Sequence, residues 1–330
     1  MKSTCPIYIL LLLSLTLVNC RESGTKQRSS DTVNMHFEDV DNFWRAYEQI
    51  KTIKSHAERS KIIQEEYINK SSHGLKLLIE KDKLTAADYA TFLKDTVFFN
   101  SIKKVTLEAK NDTTEIRQNL RSFETLYPKA TFNDIYFVIG QFKRAGTVID
   151  STMIIELEKN ARSSYTASAF LYDEDQLNNL NDFESLIPLV VHEQVHINQK
   201  NINTRDLLSK SICEGAADFL MHLQTGQFPS ATRETYTYGE AHEAELWVKF
   251  LGDLDINYKY IKTDWFYNYD RNDIPPDLGY YIGFKICEKF YNESEDKVKA
   301  IQFMLDVSNS EKLLELSNYN GGLQKTSARH

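Results

Sequence analysis

Cysteine is nearly absent. The 330 residues hold four, at positions 5, 20, 213 and 287, and no Cys-x-x-Cys occurs. That leaves no basis for a cysteine-built zinc site or a thioredoxin-type redox centre. Clustered positive charge is missing as well. Lys and Arg total 39 against 47 Asp and Glu, a formal charge of -8, which argues against nucleic acid as a partner. There is no internal repeat and no low-complexity tract. Glycine does not occur between Gly74 and Gly140, so that stretch favours long uninterrupted helices. The apolar run at residues 6–18 is too short to span a bilayer. What the chain does have is 42% apolar residues, enough for a sizeable core and against wholesale disorder.

The N-terminus reads as a targeting segment. Lys2 is followed by the apolar run and then by Leu17-Val18-Asn19-Cys20. That tetrad resembles a bacterial lipobox, with Asn19 where a small Gly or Ala is usual. Residues 1–20 are thus expected to form a lipoprotein signal peptide, with Cys20 lipidated and holding the chain to a membrane of the bacterial cell envelope, facing the periplasm or the surface. Residues 21–35 are polar and read as a flexible tether. The plainer alternative is a cleaved signal and free secretion. Cys213 and Cys287 lie in apolar, helix-like segments and are expected to be buried free thiols.

Residues 36–330 read as one domain with a helical part (36–130) and a second part (131–330). From residue 37 to 124 the apolar residues recur at three and four spacing, and Thr85-x-x-Asp88 has the pattern of a capping box. Residues 135–142 and 146–158 are rich in Val, Ile, Thr and aromatics and predict two strands bracketing a turn between Gly140 and Gly146. Residues 165–174 could add another. Helical pattern resumes near residue 183. The expectation is an α+β domain, mostly helical, with a small β-sheet.

The chemistry concentrates in "SLIPLVVHEQVHINQK", residues 185–200. Ser185 is a plausible helix start with Pro188 in the first turn. His192 and His196 then share one helix face, a two-imidazole clamp for Zn²⁺. Glu193 is rotated by about 100° and lies beside the clamp. Seventeen residues separate His196 from Glu214 in "SICEGAADFLMHL". Glu214 is the candidate third ligand, and Asp218, four residues on, the candidate carboxylate that orients a ligating ring. Gly215, Ala216 and Ala217 are small enough to let this helix lie close against the first, and Gly226 is a natural stop. Tyr280 and Tyr281 are candidate oxyanion donors, with Arg271 and His222 as weaker ones and core packing as the alternative for both tyrosines. His242-Glu243 lacks a second His and reads as a solvent-facing pair.

His-Glu-x-x-His followed by Glu-x-x-x-Asp resembles the gluzincin class of zinc metallopeptidases. The pieces "YFVIGQFKRAGTVIDSTMIIELE", "LVVHEQVHINQ", "CEGAADFL" and "PPDLGYYIGFKI" are similar to a bacterial family of predicted zinc-dependent proteases that shades into gliding-motility-type lipoproteins. The resemblance covers roughly residues 135–290. It implies a zincin-like fold, Zn²⁺ on His192, His196 and Glu214, Glu193 as the base that assists attack of zinc-bound water on a peptide bond, and Asp218 behind a ligand. The edge strand of such a fold pairs with an extended peptide or protein substrate, and residues 146–155 are the candidate here. The expected function is a membrane-anchored zinc metallopeptidase. The alternative is a non-catalytic envelope lipoprotein with the same fold, acting in assembly or surface machinery. A helix with two unrelated histidines and no metal is the third reading.

Overall fold

A computed structural model of the chain describes residues 28–167, 180–254, 264–269, 271 and 273–323. The signal segment, Cys20 and most of the stretch 165–174 lie outside the described residues.

Six helices come first: α1 (Glu38–Ile50), α2 (His56–Glu66), α3 (His73–Asp82), α4 (Ala86–Phe92), α5 (Thr96–Glu108) and α6 (Thr113–Leu126). Their starts are set by side chains. Ser55, Ser72 and Asp95 each accept a backbone N–H in the first turn of the helix that follows, and Thr85 with Asp88 forms the reciprocal capping box. Their apolar faces meet in an aromatic cluster. Phe43, Trp44, Tyr47, Tyr67, Tyr89 and Phe99 pack edge to face or tilted. The hydroxyls of Tyr67 and Tyr89 both donate to the Ile139 carbonyl, at 2.7 and 2.9 Å. Those two bonds tie the helical part to the sheet. Among the described residues one buried apolar cluster includes members from Val33 to Leu313.

Among the described residues the sheet has four short strands: β1 (Met35–His36), β2 (Ile135–Val138), β3 (Gly146–Ile149) and β4 (Thr152–Glu156), in the order β1-β2-β4-β3. β1 and β4 flank β2 in parallel, and β3 runs antiparallel to β4 at the sheet's edge. The segment 146–158, expected as one strand, is therefore a hairpin. Its turn is Asp150-Ser151, with φ of +47° and +63°. Two residues in the left-handed region are what a tight two-residue hairpin requires. Neither is glycine, so the usual sequence signal is missing.

The expected tether also ends earlier than residue 35. Ser30 Oγ donates to Glu124, Asn34 N–H donates to Asp134 at 2.7 Å, and Met35 pairs with Ile135. Residues 28–35 are held against the domain.

Then come α7 (Leu186–Asn198), α8 (Leu207–Thr225), α9 (Arg233–Ala241), α10 (Glu243–Asp253), α11 (Leu278–Glu293), α12 (Lys297–Met304) and α13 (Ser310–Ser317). α7 lies against β3, β4, α6 and α8. α8 is sandwiched between α7 and α11. The small residues of α8 were expected to admit α7. Their tightest approach is to α11 instead: a Cβ on Gly215 would sit 2.2 Å from the Gly283 carbonyl carbon, and one on Gly283 1.8 Å from the Ser211 oxygen. The two helices touch backbone to backbone. Gly226 ends α8 at φ +68°. The domain is α+β, mostly helical, with a small sheet.

Candidate metal centre

α7 begins after Ser185, with Pro188 in its first turn. Ser185 marks the start but does not cap it. Its hydroxyl accepts the Ser230 N–H at 3.0 Å instead. One turn apart on α7, His192 and His196 present their Nε2 atoms to each other at 3.0 Å. Glu214 enters from α8. Its Oε2 lies 3.3 Å from His196 Nε2 and 3.7 Å from His192 Nε2. Among the described residues these three form a group whose donor atoms all fall within 4.8 Å.

The spacing can be compared with what an ion demands. Zn–N and Zn–O bonds of about 2.0–2.1 Å in a tetrahedron put ligand atoms about 3.3 Å apart. Observed separations of 3.0, 3.3 and 3.7 Å bracket that value. The outer nitrogens of both rings are already engaged. His192 Nδ1 faces Asp218 Oδ1 at 2.7 Å, and His196 Nδ1 faces Gln199 Oε1 at 2.8 Å. With Nδ1–H donating to these oxygens, each Nε2 presents a lone pair to the centre, the tautomer a metal ligand needs. The residues fit Zn²⁺.

The orienting groups are themselves held. Asp218 Oδ2 accepts the Tyr236 hydroxyl at 2.5 Å. Gln199 donates to the Cys213 carbonyl at 2.6 Å, and its Oε1 accepts the Cys213 thiol at 3.1 Å. Both Cys213 and Cys287 are buried free thiols. The outer oxygen of Glu214, Oε1, accepts from Lys210 Nζ at 2.5 Å. Sequence reading found Asp218 but missed Tyr236, Gln199 and Lys210. Only Lys210 carries a local signal, a Lys four residues before Glu214 on the same helix.

Protonation follows from burial and these partners. Burial alone would lower His192, but the Asp218 and Glu214 carboxylates more than offset it and hold the ring at about 9. His196 is likewise pushed down by burial and raised well above its ordinary value by Glu214 and Cys213. Burial pushes Glu214 up, yet Lys210 and the two imidazoles hold it well below the carboxylate range. The carboxylate is thus ionised and the imidazoles bind protons firmly, so proton and metal compete for the same lone pairs.

Glu193 behaves differently. It is 5% exposed, and among the described residues its carboxylate accepts no hydrogen bond. Burial raises it, against the pull of His196 and His192. It lies under the edge strand: a Cβ on Gly146 would sit 2.7 Å from Glu193 Oε1. Only glycine lets β3 approach so closely. Among the described residues β3 has a strand on one side only, and its four residues are half-buried.

The other candidates separate. The Tyr280 ring stacks on His192 with centroids 6.5 Å apart and planes 14° from parallel. Burial and the nearby Glu214 raise it well above the usual phenol range, so it keeps its proton. Tyr281 faces away. Its ring packs beneath Gly239 and against Tyr236, and its hydroxyl looks toward Glu243 and Glu240. Its place is core packing. His222 stacks on Phe228, and its Nδ1 faces the Gln227 carbonyl at 3.3 Å. Arg271 pairs with Asp264 and Asp273. Glu243, expected at the solvent, accepts the Tyr319 hydroxyl at 2.8 Å.

No curated protein and no solved structure matches the chain. No helix of the described residues is long and apolar enough to cross a membrane. A family described as gliding motility protein GldB matches residues 22–321, starting two residues after Cys20. That match takes in the helical part, the sheet and every residue of the candidate metal centre, and on it the chain belongs to the gliding motility protein GldB family of lipoproteins.

Proposed function

We propose that this protein is an envelope lipoprotein of a gliding-motility machinery, held to the membrane through lipid on Cys20, whose domain binds one Zn²⁺ on His192, His196 and Glu214. The observation that carries the metal is the convergence of donor atoms from two half-buried histidines and the buried Glu214, whose outer partners are already bonded. The family match supports the motility role. In that role the centre acts as a clamp that locks α7 to α8, and binding free energy adds to folding free energy.

A second reading, a zincin-like peptidase, is favoured by Glu193. A structural zinc site is closed and needs no spare carboxylate. A buried carboxylate that accepts no hydrogen bond among the described residues costs stability, and here it lies beside the candidate centre and under a sheet edge. When bound, Zn²⁺ supplies a Lewis acid that polarises a carbonyl and brings the pKa of water toward about 7. Glu193 takes the proton from the attacking water and passes it to the leaving amine. The β3 edge offers N–H and C=O groups to an extended peptide. Tyr280, protonated and against His192, donates to the oxyanion. Asp218 and Gln199 keep both rings in register.

One experiment separates the readings. Metal content is measured by elemental analysis on the full chain and on His196→Ala and Glu193→Gln. One zinc per chain, lost in His196→Ala and kept in Glu193→Gln, is the expected result. No zinc in the parent overturns the proposal. Peptide cleavage by the parent, reduced roughly 10²- to 10⁴-fold in Glu193→Gln, selects the peptidase. Zinc-dependent thermal stability without cleavage selects the clamp.

A further inference from the structure

Exposed Lys–Glu pairs one turn apart on helices are common in this protein, as at Lys61–Glu65 and Lys289–Glu293. Such pairs contribute little. Lys210–Glu214 has the same spacing and a different setting. The two side chains are 11% and 9% exposed. The ammonium lies over the rings of Phe266 and Tyr267, at 5.9 and 5.5 Å from their centroids, and is in hydrogen-bond reach of the Tyr267 hydroxyl. Removing a Lys head group from water is expensive and is offset only by a well-placed partner.

That partner is one oxygen of Glu214. Nζ sits 2.5 Å from Oε1, while Oε2 points the other way, 3.3 Å from His196 Nε2. A carboxylate can bind a metal through one oxygen or both. Two-oxygen binding suits larger ions of high coordination number, and one-oxygen binding suits a four-coordinate zinc. A cation fixed on Oε1 disfavours two-oxygen binding, because it draws charge from that oxygen and repels a second cation placed beside it.

Resting on the zinc reading above, we propose that Lys210 is a positioning residue for the metal centre: its ammonium occupies Glu214 Oε1, restricts Glu214 to one-oxygen ligation through Oε2, and so sets the coordination number of the bound ion. Lys210 touches neither metal nor substrate. It acts through Glu214, and Phe266 and Tyr267 hold it in place.

The test uses Co²⁺ in place of Zn²⁺ in the full chain, because the visible spectrum of Co²⁺ reports coordination number independently of any catalysis. The parent is expected to show the intense bands of a four-coordinate ion. Lys210→Met, which keeps the length of the stem and removes the charge, is expected to show the weaker bands of a five- or six-coordinate ion, with Zn²⁺ affinity reduced roughly 10- to 100-fold. Lys210→Arg keeps a donor on Oε1 and is expected to retain the parent spectrum. It serves as the working variant if Lys210→Met does not fold, a changed Lys210→Arg spectrum then counting against the proposal. A Lys210→Met spectrum identical to the parent overturns the proposal and leaves the metal centre standing. Tighter Zn²⁺ binding by Lys210→Met also overturns it, since Lys210 would then be a competitor of the metal. A parent that binds neither ion removes the metal centre itself, and this proposal with it.

Discussion

The helices before the sheet and those after it handle buried polar groups in opposite ways. In residues 38–126 such groups close on a neighbour and stop there. Trp44 donates to Thr106, Tyr67 and Tyr89 to the Ile139 carbonyl, and Asp39 accepts from Ser72 N–H at 2.9 Å. In α7 and α8 the bonds are made on the outer side. His192, His196 and Glu214 each have an atom engaged by Asp218, Gln199 or Lys210 and another aimed at a common point. Groups satisfied all round specify a fold. Groups satisfied on one side only, and converging on the other, specify a site.

This contrast can be broken in three places. The largest effect is expected at Phe43, fully buried among four aromatic neighbours. Phe43→Ala should cost about 3–5 kcal/mol in a urea titration while zinc per folded chain stays unchanged. Loss of zinc from the folded variant would show that the two halves are not separable.

Next is a pH effect confined to the first half. Burial raises Asp39, and despite the Ser72 bonds it stands at about 6. Its folded form therefore holds a proton that the unfolded form has released between about pH 4 and 6. Stability from this group is present below that window and lost as pH rises through it. The loss is at most about 3 kcal/mol. Urea titrations of the parent and Asp39→Asn at pH 4 and pH 7 should show the parent losing ground relative to the variant at the higher pH. Parallel behaviour would refute the assignment.

The smallest effect is at Asp218. Asp218→Asn should weaken Zn²⁺ roughly 10- to 100-fold, measured on the folded variant by competition with a chromogenic chelator. An unchanged affinity would mean that the ring of His192 is positioned by packing alone.

Much of the site was legible because its parts obey helix spacing. His192, His196 and Glu193 follow from one turn of α7, and Glu214 with Asp218 from one turn of α8. The groups that were least legible are the cap of one helix and a side chain from another. Gln199 lies just past the end of α7, and Tyr236 arrives on α9. Neither position has a periodicity that names its neighbour. Tyr280 and Tyr281 illustrate the limit well. Adjacent helical residues point about 100° apart, and only the packing of α11 decides that the first meets His192 and the second Tyr236. The hairpin at Asp150-Ser151 was hidden because its left-handed residues are not glycine, and residues 28–35 because a polar composition says nothing of the single bonds to Glu124 and Asp134.

The contact of Gly215 with Gly283 has a mechanical consequence. With no side chain between them, α8 and α11 have nothing compressible at their crossing, and the Ser211 carbonyl blocks sliding along it. Glu214 is the residue before one glycine, and Tyr280 lies one turn before the other. Donor and phenol therefore ride on a single girder. Any breathing that widens the gap above the imidazoles must swing both together, so the distance between them is conserved while their height over α7 is the coordinate left free to vary.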